Sequence, residues 1–241
     1  GGSLRLGGST VTSLGNTFNE GTGSVRYNHS GNQIVLSETY YNLGIKNAGI
    51  KSAGGALDID GTLNIFPSGE LAMGTYNADV ATGNNINIDG TLSITTGTFT
   101  TNGSTSDIDG TLTINGAGIY DADGTFDATG GNVTFTGAGS LELGSTVTSL
   151  GTFGGTQSTL LFNGSSAQTI NATSVNAGNL IVNNASGVTL NADVTVNETL
   201  TLTSGDITST STNKLSLKSS VSGGSSSSHI SGPVDFIADA A

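Results

Sequence analysis

One eight-residue phrase is written three times in this chain: DIDGTLNI at 58–65, NIDGTLSI at 87–94 and DIDGTLTI at 107–114, at wide and unequal intervals. Read with a period of two, Ile59, Leu63 and Ile65 fall on one side and Asp58, Asp60, Thr62 and Asn64 on the other, the pattern of a strand with one buried face. The third copy repeats it with Ile108, Leu112 and Ile114. Intervals this wide do not suit hairpins alone. They suit a chain that returns to the same place after each turn: a parallel β-helix, or β-solenoid, whose coils stack about 4.8 Å apart with like residues over like. Unequal intervals then mean coils with loops of different length, and 241 residues give roughly 8–12 coils, a rod on the order of 40–60 Å long.

The same short alternation recurs in NVTFTG at 132–137, SLELG at 140–144 and VTLNADVTVNETLTLTSG at 188–205, separated by Gly, Asn and Ser clusters that signal turns. No stretch spaces its apolar residues as a helix does, so the chain reads as all-β. Small aliphatics suit a narrow interior, and Gly and Asn suit corners that need positive φ. The alternative architecture is a pair of antiparallel β-sandwiches. Those usually carry large core aromatics and Pro-marked turns, whereas this chain has no Trp and two Pro.

A longer repeat lies above the octets. GSLRLGGSTVTSLGNTF at 2–18 returns as GSLELGSTVTSLGTF at 139–153, YNLGIKNAG at 41–49 as GNLIVNNAS at 178–186, and DIDGTLNI as TVNETLTL at 195–202. The chain therefore reads as a complete first module, 1–138, and a partial second, 139–241, stacked as one continuous rod. Ile59, Leu63 and Ile65 become Val196, Leu200 and Leu202, whereas the outward Asp58 and Asp60 become Thr195 and Asn197. Gly61, inward by parity, becomes Glu198, so both positions are expected at a bend rather than in the core.

Charge narrows the partners. Eighteen acidic against six basic side chains give a net charge of −12, which disfavours nucleic acid and anionic membrane surfaces and favours cations. No apolar run is long enough to span a bilayer. Without cysteine there is neither a disulfide framework nor a thiolate metal site. The opening GGSLRLGGST has no signal-peptide core, so a leader already removed or an excerpt from a longer chain is expected. In the octets, Asp60, Asp89 and Asp109 share one slot, and Asp58 and Asp107 share another in which the middle copy has Asn87. In-register stacking would bring these carboxylates together, and like charges in register repel. Solvent screening, a raised pKa or a bound cation would relieve this, so Asp58, Asp60, Asp89, Asp107 and Asp109 form a candidate calcium column beside the plainer reading of a solvated acidic face.

Other chemistry is sparse. His29 and His229 sit in loop-like phrases with no nucleophile elbow. Polysaccharide lyase chemistry would need a base among the carboxylates, and none of Arg5, Arg26, Lys46, Lys51, Lys214 and Lys218 lies within 58–127. Thr-x-Thr phrases suggest ice binding, but unequal coils would break a regular threonine array, and Thr suits exposed strand positions anyway.

The phrase GNLIVNNASGVTLNADVTVNETLTLTSGDITSTSTNKLSL, followed by SVSGGSSSSHISGPV, resembles repeats of very large surface and secreted proteins of the Bacteroidota. The resemblance is strongest over 155–234 and extends more weakly over 1–154; filamentous-haemagglutinin-like solenoids are similar in style. It implies export through the type IX system and an adhesin-like or filament-like role. The expectation is a non-enzymatic, extracellular or cell-surface stalk, fibre or filament. It needs no cofactor and meets neighbouring modules or copies of itself end to end. Glycans or other cell surfaces are further partners, and nucleic acid and membrane insertion are not expected. The competing expectations are a carbohydrate-binding or carbohydrate-active β-helix and, more distantly, an ice-binding solenoid.

Overall fold

The computed structural model describes residues 2–14 and 21–237. The part of the first repeat phrase at 15–18 therefore lies outside the described residues. The chain is all-β, a parallel β-solenoid of about 11 turns. Each turn lays down three short strands, one on each of three faces.

Face A runs through Ser3–Leu6, Ser24–Tyr27, Asn42–Ile45, Leu63–Ile65, Asn85–Ile88, Thr105–Ile108, Phe126–Asp127 and Val147–Ser149, and continues at Gln168–Ile170. Face B starts at Gln33–Val35 and face C at Thr39–Tyr40. All strand–strand ladders are parallel. In the later coils, long strands such as Thr152–Phe162 and Asp193–Ser204 cross from face B to face C without a break. The ladders also cross residue 138 uninterrupted, for Ile119–Ala122 pairs with Ser140–Leu143 and Asn132–Phe135 with Thr152–Phe162.

The interior is built by stacking equivalent side chains. On face A, Val25, Leu43, Leu63 and Ile86 lie one over another; on face B, Leu71, Leu92, Leu112 and Val133 do. All are buried, each contributing roughly 1.5–3 kcal/mol on removal from water. Aromatics join the interior where room and partners exist. Tyr120 lies flat on Phe99, ring centroids 5.2 Å apart, and its hydroxyl donates to Ser106 Oγ at 2.8 Å. Leu36 N–H donates to Tyr27 Oη, 2.9 Å from Tyr40 Oη, and the Tyr40 hydroxyl donates to the Leu36 carbonyl.

The octets do recur on the rod, but not in one column. The second and third stack squarely, Asn87 over Asp107 and Thr91 over Thr111. The first is out of phase: Asp58 pairs with Asp79 on face C, while Asn64 pairs with Asn87 on face A. The step from the first octet to the second is one coil plus one face. The physical reason lies in the Asp-Gly corner. Gly90 and Gly110 turn the chain from face A to face B, where an added Cβ would strike the carbonyls of Gly69 and Gly90 respectively. Gly61 makes the same close approach, to the Tyr41 carbonyl, at the corner from face C to face A. One phrase serves two corners because a bare backbone is all either corner requires. Gly61 and Glu198 both lie at corners, Glu198 exposed beside a register shift.

Candidate functional site

Register decides which polar side chains meet. Of the five candidate calcium ligands, Asp89 and Asp109 stand at the same corner one coil apart, and Asp107 lies next to them, stacked between Asn87 and Asp127 on face A. Asp58 is on face C, between Thr39 and Asp79, and Asp60 follows at the next corner. The expectation of a single column of five is corrected: the phase slip of the first octet sends two carboxylates to another side of the rod. Among the described residues no group of three or more acidic or histidine side chains is arranged to hold a metal ion. The face A carboxylates act on one another instead. Burial, then the charges of Asp109, Asp127 and Asp89, push the Asp107 carboxyl above its ordinary range.

Face C carries a second acidic ladder, in which Asp121 stacks on Glu142. Burial, reinforced by Asp123 and Glu142, raises Asp121 to about 6. Lower on this face an open groove of about 510 Å³ is lined by Glu38, Asp58, Asp79, Asn77, Thr98 and Thr100, among others. Its polar groups are largely satisfied by neighbours in the next coils: Thr39 Oγ1 donates to Asp58 at 3.3 Å and Asn102 Nδ2 to Asp79 at 2.7 Å. Neither a basic nor an aromatic side chain lines it.

The histidine rings are anchored to a carbonyl and a carboxylate, and among the described residues no hydroxyl hydrogen-bonds either ring. His29 Nδ1 lies 3.0 Å from the Gly7 carbonyl, and His229 Nδ1 lies 2.8 Å from Asp206 Oδ1. The threonine rows are short. Thr91 stacks on Thr111 and Thr113 on Thr134, but Asn132 and Gly154 follow in those two rows.

Two functional-looking features escape the period-two reading. Lys51 is completely buried, stacked between Gln33 and Leu71 on face B. Its ammonium donates to the carbonyls of Ala48 at 2.7 Å, Gly49 at 3.0 Å, Gly31 at 3.2 Å and Asn47 at 3.3 Å. Burial lowers its pKa, and the Glu70 charge opposes that. Parity with Ala53 places Lys51 inward, but a lysine is almost never fully buried, so pattern alone does not nominate it. The second feature is a basic pocket of about 150 Å³ on the first coils, lined by Arg5, Arg26, Asn28, Lys46 and Asn47. The Arg26 guanidinium and the Lys46 ammonium both lie over the Phe66 ring, 5.7 and 5.5 Å from its centroid. Half of the chain's six bases gather here although they stand far apart in sequence.

No family model, curated protein or solved structure matches the chain.

Proposed function

We propose that this chain is a non-enzymatic structural segment of an extracellular bacterial stalk, fibre or surface filament. The observation that carries the reading is the continuous stack. Parallel ladders run from Ser3–Leu6 to Val234–Phe236 around one aliphatic interior, so about 11 turns make a spacer on the order of 50 Å long. A parallel stack of this kind can be extended by strand pairing at either end. Such extension suits neighbouring modules or further copies joined end to end. The likeness of 155–234 to repeats of large Bacteroidota surface proteins favours an adhesin-like setting and export.

The carbohydrate reading rests on the face C groove alone. That groove offers carboxylates with neither the base that lyase chemistry needs nor the aromatic plane on which sugars stack. A glycan array probed with the purified chain should show no saturable ligand, and a selective one would move the assignment to carbohydrate recognition. Antibodies against the chain should label intact producing cells. Labelling only after lysis would overturn the extracellular placement.

A further inference from the structure

The outward ladders of face A are polarised along the rod. In one ladder the successive coils present Arg5, Arg26, Gly44, Asn64, Asn87, Asp107 and Asp127, each registered on the next. Two residues on, the neighbouring ladder runs Gly7, Asn28, Lys46, Phe66, Asp89, Asp109, its rungs tied by bonds such as Lys46 N–H to the Tyr27 carbonyl and Asp89 N–H to the Ile65 carbonyl. Three cations occupy the first three coils, four carboxylates the fifth to seventh, and Asn64 and Phe66 the fourth. Each end sets like charges one strand spacing apart, which is destabilising in an isolated rod. Among the described residues none of these seven charges takes part in an ion pair.

We propose that face A is a docking surface for a second copy of this chain, the two rods lying antiparallel face to face. A two-fold axis through the fourth coil exchanges the first coil with the seventh, the second with the sixth and the third with the fifth. Arg5 then faces Asp127 of the second copy, Arg26 faces Asp107, and Lys46 faces Asp89, within the same two ladders. A small anion in the basic pocket would account for the cations alone. A second copy accounts for all three cations and three of the four carboxylates, Asp109 facing Asn28, and for the equal distance of the two ends from the neutral coil, as an isologous contact requires. Rods projecting from two opposed surfaces meet in this orientation, whereas rods standing on one surface meet parallel. The pairing is lateral and so goes beyond the end-to-end joining proposed above.

Sedimentation velocity on the full chain tests this. Association should be present at about 20 mM salt and weakened at least tenfold near 500 mM, where screening shortens the Debye length. Arg26→Glu alone and Asp107→Arg alone should each abolish it, because each makes two repulsive contacts across the axis. An equimolar mixture of the two variants should associate again, since each new charge then faces its opposite. Circular dichroism melts confirm that both variants fold. A chain monomeric at low salt up to about millimolar concentration, association untouched by either variant, or a mixture that stays monomeric would each overturn the proposal.

Discussion

Gln33 and Gln168 hold matching places in the two modules and perform one task on different faces. Gln33 Nε2 donates to the Leu6 and Gly8 carbonyls, both at 2.8 Å, and its Oε1 accepts from His29 N–H at 3.4 Å. Gln168 Nε2 donates to the Leu143 and Ser145 carbonyls, both at 2.7 Å, and its Oε1 accepts from Gly164 N–H at 3.1 Å. Yet Gln33 is on face B and Gln168 on face A. The module does not close on a whole number of turns. From Leu63 the interior of face A passes through Ile86, Ser106, Phe126 and Val147 to Gln168 and Val188. Leu200, the counterpart of Leu63, follows on face C: six turns and two faces. The interior tolerates this because stacked aliphatics and a satisfied glutamine fit any of three equivalent faces. A third copy in tandem would rotate again, and the original orientation would return after three copies.

What surrounds the two glutamines differs, and the largest effects should appear there. Above Gln33 lies the caged ammonium of Lys51; above Gln168 lies Val188, with Asn184 Nδ2 donating to Gln168 Oε1 at 2.8 Å. Gln168→Ala therefore strips the amide from two carbonyls, of which Leu143 keeps the Asn163 N–H, and strands two donors, and should cost about 3 kcal/mol. Gln33→Ala strips the amide from two carbonyls, of which Leu6 keeps the Asn28 N–H, and strands a single, more distant donor, and should cost about 2 kcal/mol. Urea unfolding of both variants measures the order, and equal losses would mean that the second amide adds nothing.

Lys51→Val writes the second module's residue into the first. In the second module the Gly187 N–H closes onto the Asn184 carbonyl at 2.8 Å. In the first module, four carbonyls would lose the ammonium. The expected loss at pH 7 is about 1–2 kcal/mol, part of the orphaning being offset by no longer burying a charge. The native lysine also leaves a pH signature. Its folded pKa lies below the unfolded value of about 10.4, so the unfolded chain binds more protons in the window beneath about 10.4 and stability rises with pH there. In thermal melts on the alkaline side of neutrality the native chain should gain stability relative to the variant as pH rises, the buried tyrosines Tyr27, Tyr40 and Tyr120, raised by burial, acting alike on both.

Alternation in the octets is enough for the strands, the aliphatic interior and the coil, because period two and the stacking of like on like are local rules. It cannot convey phase. Asp60 and Asp89 look identical in sequence, and only the summed lengths of intervening loops send one to a different corner from the other. The polarised face A is hidden for the same reason. Arg5, Arg26 and Lys46 become neighbours only once register is known, and the sequence interval from Arg5 to Arg26 is longer than the one from Arg26 to Gly44. Lys51 escapes for a different reason: its inward parity is visible, but the carbonyl cage that makes burial tolerable is a property of the turn at 47–49.

The outer dressing of the modules differs on face C as well. The ladder passes through Asp121 in the first module to Glu142 at the start of the second and continues as Leu161, Ile181 and Thr201. The pH response should come from its Asp121 end. Asp121 is raised to about 6 against about 3.9 unfolded, so the folded chain binds the extra proton and stability falls as pH rises from about 4 to 6. The melting temperature should climb when the pH is lowered from 7 to 5. Asp107, shifted in the same direction, adds to the climb. Asp121→Asn should flatten the profile and raise the midpoint at pH 7. A profile unchanged by the variant would remove Asp121 as its source.

The smallest contrast lies between Asp60 and its counterpart Asn197. Asn197 Nδ2 donates to Asn176 Oδ1 at 2.6 Å and to the Ala177 carbonyl at 2.7 Å, fastening one coil to the coil before it. Asp60 is exposed at its corner. Asn197→Asp imports the first module's residue but removes both donors and sets a carboxylate against two oxygens, so it should cost about 1 kcal/mol. Asp60→Asn, the reverse exchange in the first module, should stay within about 0.5 kcal/mol of neutral, as exposed substitutions do. Urea midpoints for the pair measure the asymmetry. If both exchanges were neutral, the amide rung would be ornament on a skeleton held by backbone ladders alone; if both were costly, the corner at Asp60 would carry an interaction that exposure conceals.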